Sequence, residues 1–140
     1  MRARLRDLGL AILRVAVGGM FLVHGIQKLR GYRQLVDQFP DPLGVGSQAS
    51  LHLALGAEVG CALLLILGLV TRVAAIPPIV MMCIAAFVVH GHDPWATQEL
   101  AMLYAAAFVC LLLAGPGAPS LDRLLERKVQ ARRAGRTKGK

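Results

Sequence analysis

The sequence predicts an all-α integral membrane protein: a bundle of four transmembrane helices, both termini cytoplasmic, with a short C-terminal amphipathic helix. Three observations predict it. Hydrophobic residues make up 56% of the 140 residues and charged residues only 17%, where soluble proteins carry about 25% charged. The apolar residues gather into four blocks. Most of the basic residues crowd one side of those blocks.

The blocks are Leu8 to Leu29, Leu51 to Val70, Val73 to His90 and Leu100 to Gly115. A helix needs about 20 residues to cross a hydrocarbon core of about 30 Å. The first two blocks meet that length, and the others reach it with flanking residues at the interface. Helices are expected at about 8–29, 51–70, 73–90 and 98–115. A soluble bundle would need a polar face on each helix. Neither CALLLILGLV nor VAAIPPIVMMCIAAFVV has one. The basic opening MRARLRDLGLAILRVAVGGM is read as a retained helix, because Arg14 interrupts it and no small-x-small cleavage site follows.

Orientation follows from charge. Arg2, Arg4, Arg6, Arg14, Arg72 and the eight Lys or Arg residues from Arg123 to Lys140 fall on one side, 13 in all. Only Lys28, Arg30 and Arg33 fall on the other. The positive-inside rule places the 13 in the cytoplasm, with both termini. Four spans also require the termini to share a side.

After the GPGAP turn, Ser120 can cap a short helix, Asp122 favours its positive end, and Leu121, Leu124 and Leu125 can lie on the membrane surface. The transmembrane domain is read as residues 1–126, and residues 127–140 as a basic, disordered cytoplasmic tail attracted to anionic lipid headgroups. The net charge of +8 is not read as nucleic-acid binding, since no recognition fold accompanies it.

Two spans close on the same phrase, FLVHG at 21–25 and FVVHG at 87–91. Both run outward, so His24 and His90 should lie near the outer face. Glu58 should lie about 10 Å into the second helix, and Glu99 opens the fourth. Lys28, four residues after His24, shares its face. Ionisable groups facing lipid are costly. His24, Lys28, Glu58, His90 and Glu99 are therefore expected to converge inside the bundle, with Glu58 paired to Lys28 or His24. An internal duplication is one reading of the phrase, but the carboxylates do not follow it: Glu58 comes 34 residues after His24 and Glu99 nine after His90. Gly56 and Gly60 bracket Glu58 in a GxxxG pair that admits a close neighbour. Pro77 and Pro78 mark a first turn or a kink in the third helix.

HGIQKLRGY at 24–32, GAEVGCALLLILGLVTR at 56–72, Glu99 and GPGAPSLD at 115–122 together resemble the DoxX family of small bacterial membrane proteins. The resemblance runs from about Leu13 to Leu125. It implies four helices in the bacterial inner membrane. Relatives include a membrane subunit of thiosulfate:quinone oxidoreductase and proteins linked to sulfur metabolism and oxidative stress. The family's polar positions fall here on Lys28, Glu58, Arg72 and Asp122, and the last two are expected to pair on the cytoplasmic side.

Several chemistries are open to this cluster. A quinone needs an apolar slot with donors and a proton route, which His24, Glu58 and Tyr104 can supply. Lys28, His90, Glu99 and Tyr104 are candidate ligand-binding residues, with Lys28 setting local charge or holding an anion such as a sulfur oxyanion. His24, Glu58, His90, His92 and Glu99 are candidate metal ligands, without a sequential signature. Cys61, Cys83 and Cys110 read as packing residues, since no CxxC and no outer-loop thiol is present. Transport ranks lower in so small a bundle. The favoured reading is a quinone-linked redox subunit working with a redox protein partner. Whether the chain is itself an enzyme stays open, as does a homodimer. The alternative is a non-enzymatic membrane anchor or assembly partner whose polar cluster only fixes helix register.

Overall fold

A computed structural model describes residues 1–137, with side chains described through residue 131. It is helical throughout, with no strand among the described residues. Four helices are long and apolar enough to cross a membrane: α1 (Arg2–Arg30), α3 (Ser47–Leu67), α4 (Thr71–Val89) and α5 (Trp95–Ala114). A single turn, α2 (Tyr32–Leu35), follows α1, and α6 (Leu121–Thr137) closes the chain.

The spans start earlier than hydropathy alone indicated, because polar and basic residues continue a helix beyond its apolar block. α1 takes in Arg2 to Asp7. Its 29 residues measure about 43 Å, more than the hydrocarbon needs. α5 begins at Trp95, just after Pro94. α6 runs to Thr137, where only a short helix and then a disordered tail were expected. Residues 138–140 of that tail lie outside the described residues.

The inward face of α1 repeats every seven residues. Ala11, Gly18 and Gly25 are buried, and so are Arg14 and Phe21, with Lys28 in the next place of that second series. Small residues alternate with large ones at the spacing of a left-handed helix seam. The small ones let α3 come close, as membrane helix pairs require. Phe21 sits at mid-bundle, with its ring 5.0 Å from Phe108 and 5.6 Å from Tyr104. Leu51, Leu65 and Leu111 complete the fully buried core. The outward faces carry Ile12, Val23, Leu63, Leu103 and Leu113, exposed where lipid would meet them.

At one end of the bundle the start of α1 lies beside the start of α6. Asp7 of α1 meets Arg123 of α6 at 3.2 Å. The Arg14 guanidinium is 3% exposed and donates to the carbonyls of Pro116 and Pro119, at 3.0 and 2.8 Å. This charge inside the first apolar block therefore ties the turn before α6 to α1. At the same end α3 stops at Gly68 (φ +68°), whose N–H and that of Leu69 bond back to Leu65 and Leu64.

Arg72 and Asp122 do not pair as the resemblance implied. The Asp122 carboxylate accepts the N–H groups of Val70 and Thr71, at 2.7 and 2.9 Å. Those are orphan donors at the start of α4, and Val70 there has an unusual positive φ of 45°. Arg72 donates instead to Leu113 O at 3.4 Å. Bare backbone donors offered Asp122 two fixed partners close by, whereas a long exposed side chain did not.

Pro77 and Pro78 fall in the first turn of Ile76–Ile84, where a missing N–H breaks no ladder bond. Two spans depart from α geometry. Gly56–Cys61 in α3 and Ala85–Val89 in α4 wind as wider π-turns.

Candidate functional site

Glu58 stands in the π-turn of α3, and Gly25 of α1 lies directly against it. A methyl group at Gly25 would come within 3.0 Å of the Glu58 backbone carbon and 2.6 Å of Val59 Cγ2. Only a hydrogen fits. Lys28 follows Gly25 by one turn, and its Nζ reaches both Glu58 oxygens at 2.6 and 2.7 Å. The carboxylate is 3% exposed and the ammonium 24%. A buried carboxylate inside a membrane needs such a partner.

This pair borders a cavity of about 570 Å³ bounded by all four spans. The cavity reaches along α4 from Pro77 to His90, a rise of about 20 Å. Its walls are mostly apolar, with Phe21, Leu53, Ala54, Met81 and Met82 among them. Leu53, Val80 and Leu100 border it and are more than half exposed, so it opens sideways toward lipid. At the far end the loop residues Phe39, Pro40, Pro42 and Leu43 form its rim.

His24, Tyr104 and Thr97 stand in this wall with no side-chain hydrogen-bond partner among the described residues. His24 lines the cavity and meets Tyr104 edge-on, with ring centroids 6.1 Å apart. Tyr104 lines it from α5 and is otherwise packed on Phe21 and Phe108. His24, Lys28, Glu58 and Tyr104 thus line one cavity, with Glu58 paired to Lys28. His90 also borders the cavity, at its mouth. Its Nδ1 lies 2.6 Å from Asp93, and its carbonyl accepts from Gln98 at 2.8 Å.

Glu99 does not join them. Thr97, Ala101 and Tyr104 form the inward face of α5, and Glu99 falls two residues from the first two, on the exposed side. Starting α5 at Trp95 makes Glu99 the fifth helical residue rather than the second. His92 is exposed in the turn before α5. The metal set of His24, Glu58, His90, His92 and Glu99 is therefore not assembled: among the described residues no three His, Cys, Asp or Glu side chains converge. The three cysteines are free.

The repeated phrase serves two different purposes. Phe21 is 1% exposed and Phe87 is 63% exposed. Gly25 admits a neighbouring helix, whereas a Cβ at Gly91 would strike only its own chain at Phe87 O. Both imidazoles border one cavity, but the two environments are not copies.

The loop rim escaped sequence reading. Asp41 accepts the Val45 and Gly46 N–H groups at 3.0 and 2.7 Å and the Ser50 hydroxyl at 2.7 Å. Its pKa is held below the ordinary carboxylate value, first by the Ser50 hydroxyl and next by the Gly46 N–H. The signal was present as PDPLGVGS, an Asp-led turn with glycines and a following Ser.

The DoxX family profile matches residues 9–91, more than half of the chain. Similar proteins include the inner membrane protein YqjF of Escherichia coli, 29% identical over 89% of this chain and 98% of that one. The inner membrane protein YphA of the same organism is 32% identical over 84% and 91%. An uncharacterized protein of Haemophilus influenzae is 35% identical over 85% and 92%. No solved structure matches the chain. Extended similarity to such relatives, the family match and the four-span bundle agree: the chain belongs to the DoxX family of membrane proteins.

Proposed function

We propose that this protein is an inner-membrane, quinone-linked redox subunit that holds the carrier in its bundle cavity and works with a redox partner protein. The observation that carries the reading is the meeting of His24 and Tyr104, neither with a hydrogen-bond partner among the described residues, in a mostly apolar cavity open to lipid. A long apolar molecule with a polar ring fits that distribution, and a quinone supplies two-electron transfer when bound. His24 and the Tyr104 hydroxyl offer hydrogen bonds to ring carbonyls. His24 also carries protons toward the rim. Glu58 has both oxygens on Lys28, so it holds charge in place and exchanges protons only when Lys28 turns away. That same commitment leaves Lys28 poorly placed to take a sulfur oxyanion.

The charge asymmetry of the chain supports a cytoplasmic location for both termini and a cavity opening near the outer face. The inner-membrane names of YqjF and YphA support the location. The closed Lys28–Glu58 pair favours a second reading, in which the cluster sets helix register and the protein serves as an anchor or assembly partner.

One experiment separates them. Protein is purified in native lipid discs, and bound small molecules are extracted and identified by mass spectrometry. Stoichiometric quinone in the wild type, lost in folded His24→Gln and Tyr104→Phe variants, supports the redox pocket. A wild type free of quinone that takes up none on addition refutes it and leaves the anchor reading.

A further inference from the structure

A second concavity lies at the end of the bundle where α6 begins. It is a wedge of about 540 Å³ between the start of α4 and one face of α6. Asp122 joins the two helices at its apex through Val70 and Thr71. From there α6 leaves Leu125, Glu126, Val129 and Gln130 facing the wedge, at the spacing of one helix face. Val70, Val73, Leu125 and Val129 are each about half exposed or more, so the walls are apolar and uncovered.

Two opposite charges stand in this apolar setting. Arg72 and Glu126 both line the wedge, and neither forms an ion pair among the described residues. Arg72 makes one long contact, to Leu113 O at 3.4 Å. Thr71 Oγ1 is fully buried in the wall and has no hydrogen-bond partner. Asp122 holds a backbone N–H group on each oxygen, which ties it to the start of α4 and leaves Glu126 as the carboxylate of the wedge without a hydrogen-bond partner among the described residues. Since α4 enters its apolar run directly after Arg72, the wedge lies at headgroup level.

We infer that this wedge binds a phospholipid with a zwitterionic phosphoethanolamine headgroup, its phosphate on Arg72 and its primary ammonium on Glu126. The acyl chains run along Val70 and Val73 toward the third span. The charge pattern selects the headgroup. A phosphate meets the planar guanidinium donors of Arg72. A headgroup with net negative charge meets Glu126 unfavourably. A quaternary ammonium has no N–H to give that carboxylate. The site is separate from the cavity between the spans and does not depend on the redox reading.

The test is native mass spectrometry of the full chain, released from detergent after delipidation and titrated with phosphatidylethanolamine, phosphatidylcholine or phosphatidylglycerol. The wild type should retain one phosphatidylethanolamine about tenfold more tightly than either other lipid, the scale of one charge-assisted hydrogen bond. Glu126→Gln, a change on an exposed helix face, should bring phosphatidylethanolamine down to the level of phosphatidylcholine. Arg72→Gln should weaken all three. Equal retention of the three lipids by the wild type overturns the assignment. So does a preference for phosphatidylethanolamine that survives in Glu126→Gln.

Discussion

Replacing Lys28 with Met tests the central ion pair most directly. The change keeps side-chain length and leaves the Glu58 carboxylate, 3% exposed, without its two contacts of 2.6 and 2.7 Å. Breaking a buried pair from one side costs about 3–5 kcal/mol. The chain can limit that cost by protonating the carboxyl, which at pH 7 takes about 3.7 kcal/mol for an ordinary Glu. Partial exposure of Lys28, at 24%, lets water share the load and lowers the figure further. The expected destabilisation is about 2–3 kcal/mol at pH 7, a fall of roughly 10 °C in melting midpoint by small-domain scaling. At pH 5 protonation costs only about 1 kcal/mol, so the loss should shrink to near that value. The double variant Lys28→Met with Glu58→Leu removes both charges and should recover most of the loss. Thermal melting in one detergent, at both pH values, measures all of this. A single variant as stable as wild type at pH 7, or a double variant less stable than the single, would refute the reasoning.

Gly25→Ala should cost about 1–3 kcal/mol through overpacking, while Gly19→Ala, with nothing within 4 Å of the added carbon, should be neutral or stabilising; melting midpoints compare them. Asp122→Ala should cost about 1–2 kcal/mol, as the loss of a helix cap does, and hydrogen exchange at the Val70 and Thr71 amides should speed up. Asp41, its folded pKa lowered, orders the cavity rim above its unfolded value of about 4 and loses hold as pH falls through the folded value. Amide resonances of Val45 and Gly46 should therefore shift in acid, and Asp41→Asn should remove that dependence.

The four spans were legible because hydrocarbon demands long apolar blocks, and blocks of that kind leave few alternatives. The Lys28–Glu58 pair was legible for a related reason: two charges on neighbouring spans have few other places to go. Glu99 was misplaced because it was positioned by depth alone: it stands five residues from Tyr104 on one helix, about 140° around the axis, so the two cannot share a face. Asp122 was misassigned because charge matching by side chain overlooked the bare N–H groups at the α3–α4 junction. The π-turn that presents Glu58 leaves no mark in hydropathy, since it changes the winding and not the composition.

α1 is fastened by a cation near each end of its buried run. Arg14 holds the turn before α6, and Lys28 holds the wide turn of α3. The two lie 14 positions apart in the chain, about 21 Å along the axis, so they clamp the helix at two depths. A rod pinned twice can neither slide like a piston nor swivel without breaking a buried charge contact at one pin.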